Sequence, residues 1–412
     1  MYVFTLLTYL FFFYLLDCYN FDYRFTSAHF LLRFISVPIL ASISIATTSF
    51  ILNFRPFGVR FLVLQGLLIF FPAFFLRLAL DAWYNKRRRT ERVVVLGAGR
   101  TGRSILRLLV EKRQYLVIGF LDDSPKLHGT EVGGVQVLGG MERIPELVKA
   151  KQVDIFIVAI LREMHHEVYR LLTEAKMQGV SVEVTPSFFE REAGKIPVRH
   201  VSNRWFVYMP IFGARKNLYN SKLKRLFDMG FALGGLCLLS PLLLLTAVAI
   251  RMDSPGPVFF LQKRIGLMGK PFQVVKFRSM RVGLEKERHF AGQRNDPRIT
   301  RVGRVIRLFR IDELPQLWNV LKGEMSLIGP RALMEDEVQT FTPRIPYYAL
   351  RHSLQPGITG WAQVNYPHGA TEKDALEKLQ YDLFYIKNLS FVLDFYIALK
   401  TIRTVVFWRG AR

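Results

Sequence analysis

Leu226-Phe-Asp-Met-Gly-Phe-Ala-Leu-Gly-Gly-Leu-Cys-Leu-Leu-Ser240-Pro241-Leu-Leu-Leu-Leu-Thr-Ala-Val-Ala-Ile250 is long and apolar enough to enter a bilayer, yet it carries Asp228 near its start and a proline at its middle. A helix needs about 20 apolar residues to cross the hydrocarbon core. Proline removes a backbone donor and crowds the preceding turn, so the helix is expected to bend or break at Ser240-Pro241. Both flanks are basic, with Lys222, Lys224 and Arg225 before the run and Arg251, Lys263 and Arg264 after it. A crossing would leave one cluster on the outer face, against the bias that keeps Lys and Arg inside. A helix–break–helix that enters one leaflet and returns keeps both clusters on one side. An ordinary kinked span is the competing reading.

Three further apolar runs lie upstream, over residues 1–16, 30–52 and 61–80. The second and third have the length of a span; the first is short, as though the true N-terminus lay further upstream. No basic front end or small-residue cleavage site marks a signal peptide. Asn85-Lys-Arg-Arg-Arg-Thr-Glu-Arg92 follows the third run and reads as a cytoplasmic block, whereas Arg55 and Arg60 pull mildly the other way.

Of 412 residues, half are hydrophobic, and Lys+Arg outnumber Asp+Glu by 57 to 33, a net charge of +24. Disorder and a purely soluble globule both fit that composition poorly. Nucleic-acid-binding proteins are basic but seldom this apolar, whereas a protein seated on anionic lipid is both. The expected partners therefore include anionic membrane lipids and no nucleic acid. Cys18 and Cys237, both in apolar runs, exclude a disulfide scaffold and a cysteine-based zinc site.

Residues 92–185 alternate strand and helix patterns. Arg92-Val-Val-Val-Leu96 runs into Gly97-Ala-Gly-Arg-Thr-Gly102. A helical pattern at Ile105, Leu108 and Leu109 follows, then a strand over 116–121 ending in Asp122-Asp123, with later strands over 154–160 and 180–184. This order implies a parallel sheet with crossover helices. Gly97, Gly99 and Gly102, with an acid about 20 residues on, match a dinucleotide fingerprint in which Asp122 or Asp123 takes a ribose. The unit amounts to half of a doubly wound domain. A structural or dimerising role is the leading expectation, nucleotide binding the second, and a homodimer stays open. His165-His166 has no partner at metal-ligand spacing and reads as surface. Residues 191–221 mix proline, aromatics and basic residues without periodicity and read as a linker near the membrane.

Between Arg251 and Arg310 stand fifteen Lys/Arg against four Asp/Glu, an excess that calls for phosphates, lipid headgroups or both. Arg264 lies in Gln262-Lys-Arg-Ile-Gly266, Lys276 and Arg278 in Lys276-Phe-Arg-Ser-Met280, and Arg298 in Asn295-Asp-Pro-Arg-Ile-Thr300. These four are the candidate phosphate-binding cations. Arg301, Arg304, Arg307 and Arg310 recur at helical spacing among apolar residues, an amphipathic basic helix suited to an interface. Then comes Arg310-Ile-Asp312-Glu313-Leu-Pro315-Gln-Leu-Trp-Asn-Val-Leu-Lys-Gly323. Proline favours the first helical position, so a helix is expected from Pro315 to a stop at Gly323. Asp312 and Glu313 precede that N-terminus, where the dipole favours anions. Two adjacent acids in a cationic stretch either share a cation or form a capping pair that neutralises nearby arginines. Mg²⁺ bridging a substrate diphosphate is the natural cation, being held by one or two carboxylates plus phosphate oxygens. With one acid on the metal, the other is free to attack phosphorus, as carboxylates do when they form acyl phosphates.

Five motifs occur in order over residues 220–412: Ser240-Pro241, Lys276-Phe-Arg-Ser-Met280, Asp312-Glu-Leu-Pro-Gln-Leu-Trp-Asn319, Met325-Ser-Leu-Ile-Gly-Pro-Arg331 and Gln355-Pro-Gly-Ile-Thr-Gly-Trp-Ala-Gln-Val364. In them the chain resembles the bacterial polyprenyl-phosphate sugar-phosphate transferases, monotopic phosphoglycosyl transferases that begin exopolysaccharide, capsule and O-antigen repeat units. Its N-terminal parts resemble the long form of that family. The resemblance implies transfer of a sugar 1-phosphate from a UDP-sugar to undecaprenyl phosphate, with release of UMP. It implies Asp312 as the nucleophile that carries an aspartyl-phosphosugar intermediate, Glu313 as the Mg²⁺ ligand, and Arg331, with Lys276 and Arg278, as phosphate binders. Where the family has a second proline after that arginine, this chain has Ala332, which implies a looser loop. It also implies a multi-pass protein of the bacterial inner membrane with its catalytic domain on the cytoplasmic face.

The expected architecture is thus N-terminal transmembrane helices (1–84), a small Rossmann-like α/β domain (85–190), a linker (191–221) and a mostly α-helical monotopic catalytic domain (222–412) with a re-entrant helix–break–helix over 226–250. Residues 381–407 read as a further surface-lying helix. The alternative enzyme is a membrane-bound, NAD-dependent nucleotide-sugar dehydratase or epimerase. Such enzymes need a Tyr-x-x-x-Lys pair inside the dinucleotide domain, and the one such spacing, Tyr396–Lys400, lies in the tail.

Overall fold

The computed structural model describes residues 2–19, 28–51, 58–87, 90–112, 114–201, 205–206, 222–282, 298–367, 369 and 371–406. Met1–Glu91 with Lys112–Leu116 form one compact unit, and Arg92–Glu111 with Val117–Arg412 form a second.

The first unit holds three helices, α1 (Tyr2–Leu15), α2 (Ala28–Ile51) and α3 (Val59–Arg87), as the three apolar runs predict. Phe34, Val37, Ala41 and Ile45 recur every three or four residues along α2 and are buried against Tyr9 and Phe13 of α1. Phe70 and Phe74 of α3 close the cluster. Leu31–Ile51 and Arg60–Leu80, 21 residues each, are long and apolar enough to cross a membrane, at about 1.5 Å of rise per residue. Val3–Leu15 is shorter. Arg55 and part of the basic block, residues 88–89, lie outside the described residues.

The second unit begins with a six-stranded sheet: β1 (Glu91–Leu96), α4 (Arg100–Glu111), β2 (Tyr115–Leu121), β3 (Glu131–Val132), β4 (Val135–Gly139), α5 (Ile144–Lys149), β5 (Ile155–Val158), α6 (His166–Met177) and β6 (Ser181–Val184). The order is β3-β4-β2-β1-β5-β6. β1 pairs with β5, β5 with β6 and β2 with β4 in parallel, and β3 runs antiparallel to β4. Val94, Leu96, Phe156 and Val158 are buried under Leu147 and Leu172 of the crossover helices. The result is the Rossmann-like layer that the alternation predicts.

After α7 (Thr185–Ala193) the chain departs from expectation. Ile196, Val198, Val201 and Phe206, read as membrane-surface linker, are buried among Leu379, Leu383 and Ile386 of the catalytic body. Their apolar side chains are too few and too irregularly spaced to leave a periodic signature, yet each fills a core position. The rest of that stretch, 202–204 and 207–221, lies outside the described residues.

The catalytic body comprises α8 (Lys224–Asp253), the hairpin β7 (Phe259–Ile265) and β8 (Pro271–Phe277), α9 (Arg301–Leu308), α10 (Gln316–Lys322), β9 (Ser326–Ile328), α11 (Glu335–Phe341), β10 (Gly357–Thr359), α12 (Trp361–Asn365), α13 (Glu372–Lys387) and α14 (Phe391–Val406). α8 runs as one continuous helix through Pro241, where a bend or break was expected. Proline leaves the carbonyl four residues back, that of Cys237, without its donor, and Ser240 Oγ donates to it at 2.8 Å instead. Both ends of α8 are bonded to the same body. Near the start Arg225 donates to the carbonyls of Val320 and Leu321, and Asp228 accepts from Ser326 Oγ and Leu327 N. Near the end Asp253 accepts from Val302 N, and Arg278 donates to the carbonyls of Ile250 and Ser254. Between them the helix turns apolar side chains outward, Leu238 at 80% exposure.

The tail is two helices rather than one surface helix. α13 buries Leu379, Leu383, Tyr385 and Ile386 and is a core element, and α14 follows after Asn388–Ser390. Residues 407–412 lie outside the described residues.

Candidate active site

Strand alternation builds the first wall. Gln262 and Arg264 of β7 and Val274 and Lys276 of β8 share one face of the antiparallel hairpin, whose register pairs Arg264 with Phe272 and Phe260 with Lys276. The second wall is the short parallel pair of β9 and β10. Here Gly329 and Gly357 meet backbone to backbone; a Cβ on Gly357 would lie 2.1 Å from Gly329 N. That approach carries the chain into Arg331, which bridges to Gly357.

The acids stand on the third wall. α9 is capped by Thr300, whose hydroxyl accepts from Gly303 N, and turns Ile306 inward against Ile250 and Phe277. Arg310 then takes the left-handed conformation at φ +58°, unusual for a residue with a side chain. This reversal starts the single turn Ile311–Glu313. Pro315 begins α10, and Gly323, at φ +85°, ends it as expected. Asn319, fully buried in α10, fixes that helix to β8: its amide accepts from Val275 N at 2.9 Å and donates to Gln273 O at 2.7 Å.

Arg264, Lys276, Glu313, Gln316, Arg331, Ala332 and Gln363 line one cavity. Lys276 Nζ lies 3.6 Å and Arg310 Nη1 3.8 Å from the same oxygen of Glu313, Oε1. Burial alone pushes the Glu313 carboxyl up, but Lys276, Arg331 and Arg310 outweigh it and hold the group below the usual carboxylate range. Asp312 goes the other way. Burial, then repulsion from Glu313, raises it to about 6 against the pull of Lys276, Arg307 and Arg310. Burial also lowers Lys276, with Arg331 and Arg264 adding to the effect, and brings Arg264 down to about 10. Two adjacent carboxyls are thus driven apart, the pattern by which one environment sets two roles.

Of the phosphate-binding candidates, Arg264, Lys276 and Arg331 come together in this cavity. Arg264 is oriented by Gln262 Oε1 and by the carbonyl of Ala332. Arg278 is elsewhere, a correction to the expectation: it is buried and its guanidinium is taken up by carbonyls at the end of α8, including that of Pro255. Arg298 is buried next to the undescribed residues 283–297, its carbonyl accepting from Arg281 N, and does not line the cavity. Asp312 is half-buried beside Glu313 without lining it.

A second cavity, an apolar groove of about 630 Å³, is also lined by Glu313. Phe227 and Phe231 of α8, Leu317 of α10 and Phe391, Phe395 and Ile402 of α14 form its walls, and Arg310, 3.8 Å from Glu313, also lines it. Sequence reasoning missed this groove, Asn319 and Gln363. Asp228, an acid inside an apolar run, was the available signal, since it ties α8 to β9 and so forms one side of the groove.

In the sheet domain Gly97, Gly99 and Gly102 do lead from β1 into α4. Asp122, however, is committed to the loop itself: its two carboxylate oxygens accept from Ala98 N at 2.8 Å and Ser124 N at 2.9 Å. Thr101 Oγ1 lies 3.2 Å from His200 Nδ1, joining the loop helix to the segment that packs on the catalytic body. His165 and His166 are exposed, as read.

A family model described as bacterial sugar transferase matches residues 219–408, and one described as a CoA-binding domain matches residues 27–186. The UDP-N-acetylgalactosamine-undecaprenyl-phosphate N-acetylgalactosaminephosphotransferase of Aeromonas hydrophila is 41% identical over 62% of this chain and 60% of its own length. A UDP-glucose:undecaprenyl-phosphate glucose-1-phosphate transferase of Xanthomonas campestris pv. campestris is 36% identical over 65% of this chain and 56% of its own. The enzyme of the same name from Klebsiella pneumoniae is 33% identical over 91% of this chain and 79% of its own. The chain therefore spans somewhat over half the length of the first two relatives and most of the third.

Proposed function

The chain belongs to the bacterial polyprenyl-phosphate sugar-1-phosphate transferases, and from that membership we propose that it moves a sugar 1-phosphate from a UDP-sugar onto undecaprenyl phosphate, releasing UMP, as the first step of an exopolysaccharide, capsule or O-antigen pathway. One observation carries the reading: Glu313 lines both a cationic cavity and an apolar groove. The cations suit a diphosphate from water, and the groove suits an isoprenoid chain whose phosphate meets Arg310. A reaction between a nucleotide and a lipid needs both on one acidic turn.

In the first half-reaction an ionised Asp312 oxygen attacks the phosphorus that bears the sugar. The bond from that phosphorus to the bridging oxygen breaks, and UMP leaves with the electron pair. In the second, an oxygen of undecaprenyl phosphate attacks the same phosphorus, the acyl-phosphate bond breaks, and the Asp312 carboxylate is restored. Lys276, Arg264 and Arg331 neutralise the phosphate oxygens, where their charges act most strongly because the site is partly dry.

Mg²⁺ fits the donor set. Both ion pairs of Glu313 use Oε1, which leaves Oε2 as a hard oxygen donor beside the Asp312 carboxylate. Among the described residues no three metal-ligating side chains converge, so substrate phosphates would complete the shell. Bound there, the ion supplies charge neutralisation for the diphosphate.

The bonds from both ends of α8 to one catalytic body support a helix that keeps both ends on the cytoplasmic face of the inner membrane rather than crossing it. The commitment of Asp122 to its own loop supports a structural or dimerising role for the middle domain. A dehydratase or epimerase is not favoured, because Lys400 Nζ is bonded to Asn365 Oδ1 in the tail, away from the sheet.

The test uses the full chain in nanodiscs with a panel of UDP-sugars. UMP release should depend on added undecaprenyl phosphate, and without the lipid the sugar phosphate should be trapped on Asp312 and seen by mass spectrometry. Turnover with no such adduct, and with Asp312→Asn fully active, overturns the covalent route. No UMP from any UDP-sugar overturns the transfer itself.

A further inference from the structure

Gln363 is the one side chain besides Glu313 and Ile358 that lines both cavities. Its amide is assigned by its hydrogen bond: Nε2 donates to the carbonyl of Ile358 at 3.1 Å, which leaves Oε1 on the other side of the amide. That oxygen is buried and has no hydrogen-bond partner among the described residues. It sits over Gly360, where a Cβ would lie 3.2 Å from it. Of the cations that line the same cavity, Arg264 bonds to Gln262 and Ala332, Lys276 pairs with Glu313, and Arg331 does not bond to this oxygen either. An orphaned acceptor on a residue that lines a reaction site is completed by water or by a donor from the ligand.

Phosphate and diphosphate oxygens are acceptors and repel it. A substrate hydroxyl is a donor. The hydroxyls nearest the reacting phosphorus belong to the transferred sugar, whereas the ribose and base lie beyond the second phosphate. Resting on the transfer reaction above, we propose that Gln363 Oε1 accepts a hydrogen bond from a hydroxyl of the sugar being transferred, which makes Gln363 a specificity-determining residue. A site built to pair with a hydroxyl rejects the analogue that lacks it, because its own polar atom is left unpaired.

The experiment measures kcat/KM for UMP release by the full chain in undecaprenyl phosphate nanodiscs. It takes the best UDP-sugar, each of its monodeoxy-sugar analogues and the 2′-deoxyuridine analogue. Wild type should disfavour one monodeoxy sugar by at least about 100-fold, and Gln363→Met should bring that ratio to within about threefold while slowing the parent sugar. A ratio unchanged in Gln363→Met, or a loss that follows the ribose, overturns the proposal. Should the variant not fold, wild type alone decides, since equal use of every monodeoxy sugar also overturns it. If wild type uses no UDP-sugar at all, the transfer reaction has failed rather than this assignment.

Discussion

Lys276 Nζ lies 3.6 Å from Glu313 Oε1, and this ion pair joins strand β8 to the acid turn. Glu313 stays ionised despite burial because Lys276 leads the three cations around it. Removing the lysine leaves a carboxylate less well paired in a partly dry site and, on the proposed reaction, would deprive the substrate phosphates of a positive charge. Lys276→Met is therefore expected to slow UMP release by at least about 100-fold, some 2.7 kcal/mol of transition-state stabilisation. Lys276→Arg keeps the charge and should lose much less. Initial rates with circular dichroism as a check on folding measure both, and a methionine variant within tenfold of wild type would remove Lys276 from the chemistry.

The acid limb of the pH profile should belong to Asp312. Burial and Glu313 raise its carboxyl to about 6, and on the proposed covalent route only the ionised form would attack phosphorus. The rate of adduct formation should climb between about pH 5 and 7 and level off above, with an apparent value shared by the coupled pair. Glu313→Gln removes the repulsion, so the limb should shift to lower pH even as the maximal rate falls. The same shift has a sign for stability. A carboxyl raised on folding binds protons more tightly in the native state, so stability falls as pH rises through the window from 3.8 to about 6. Asp312→Asn should thus raise the thermal midpoint at pH 8 and not at pH 4.

What could be read from the sequence follows from how each signal is carried. The sheet was legible because β1, β2 and β5 are apolar runs and β6 alternates valine with polar residues, all separated by helix periodicity, while the hairpin of β3 and β4, with a two-residue first strand, is too short to show alternation. The acid turn and α10 were legible from Pro315 and Gly323, which act locally on the backbone. Arg278 was misplaced because a cation in a basic stretch carries no mark of whether it meets phosphate or caps a helix, as it does for α8. The apolar groove depends on α8, α10 and α14 coming together across more than 170 residues, which no local pattern encodes.

Phe206 tests whether the segment after the sheet domain belongs to the catalytic body. It is 2% exposed and its ring stacks on Tyr347 with centroids 3.9 Å apart. Truncating a buried phenylalanine costs about 3–5 kcal/mol. Phe206→Ala should lower the thermal midpoint of the full chain and reduce transfer in proportion to the folded fraction. A surface linker would tolerate the change, so an unaltered midpoint would return this segment to the sequence-based reading.

Ser240 and Pro241 can be separated by a double-mutant cycle. Pro241 cannot donate to Cys237 O, and Ser240 Oγ does so at 2.8 Å. Around them the helix is exposed and apolar, so in a bilayer no water replaces a missing donor. Ser240→Ala alone should therefore destabilise the protein in nanodiscs by about 1–3 kcal/mol, the cost of an unpaired buried carbonyl. Pro241→Ala restores the backbone N–H at that position and makes the hydroxyl redundant. In the Pro241→Ala background the serine substitution should cost little, giving a coupling energy close to the whole effect of the single change. Equal costs in both backgrounds would mean that the hydroxyl acts on something other than Cys237, and the account of how α8 passes its proline unbroken would fail.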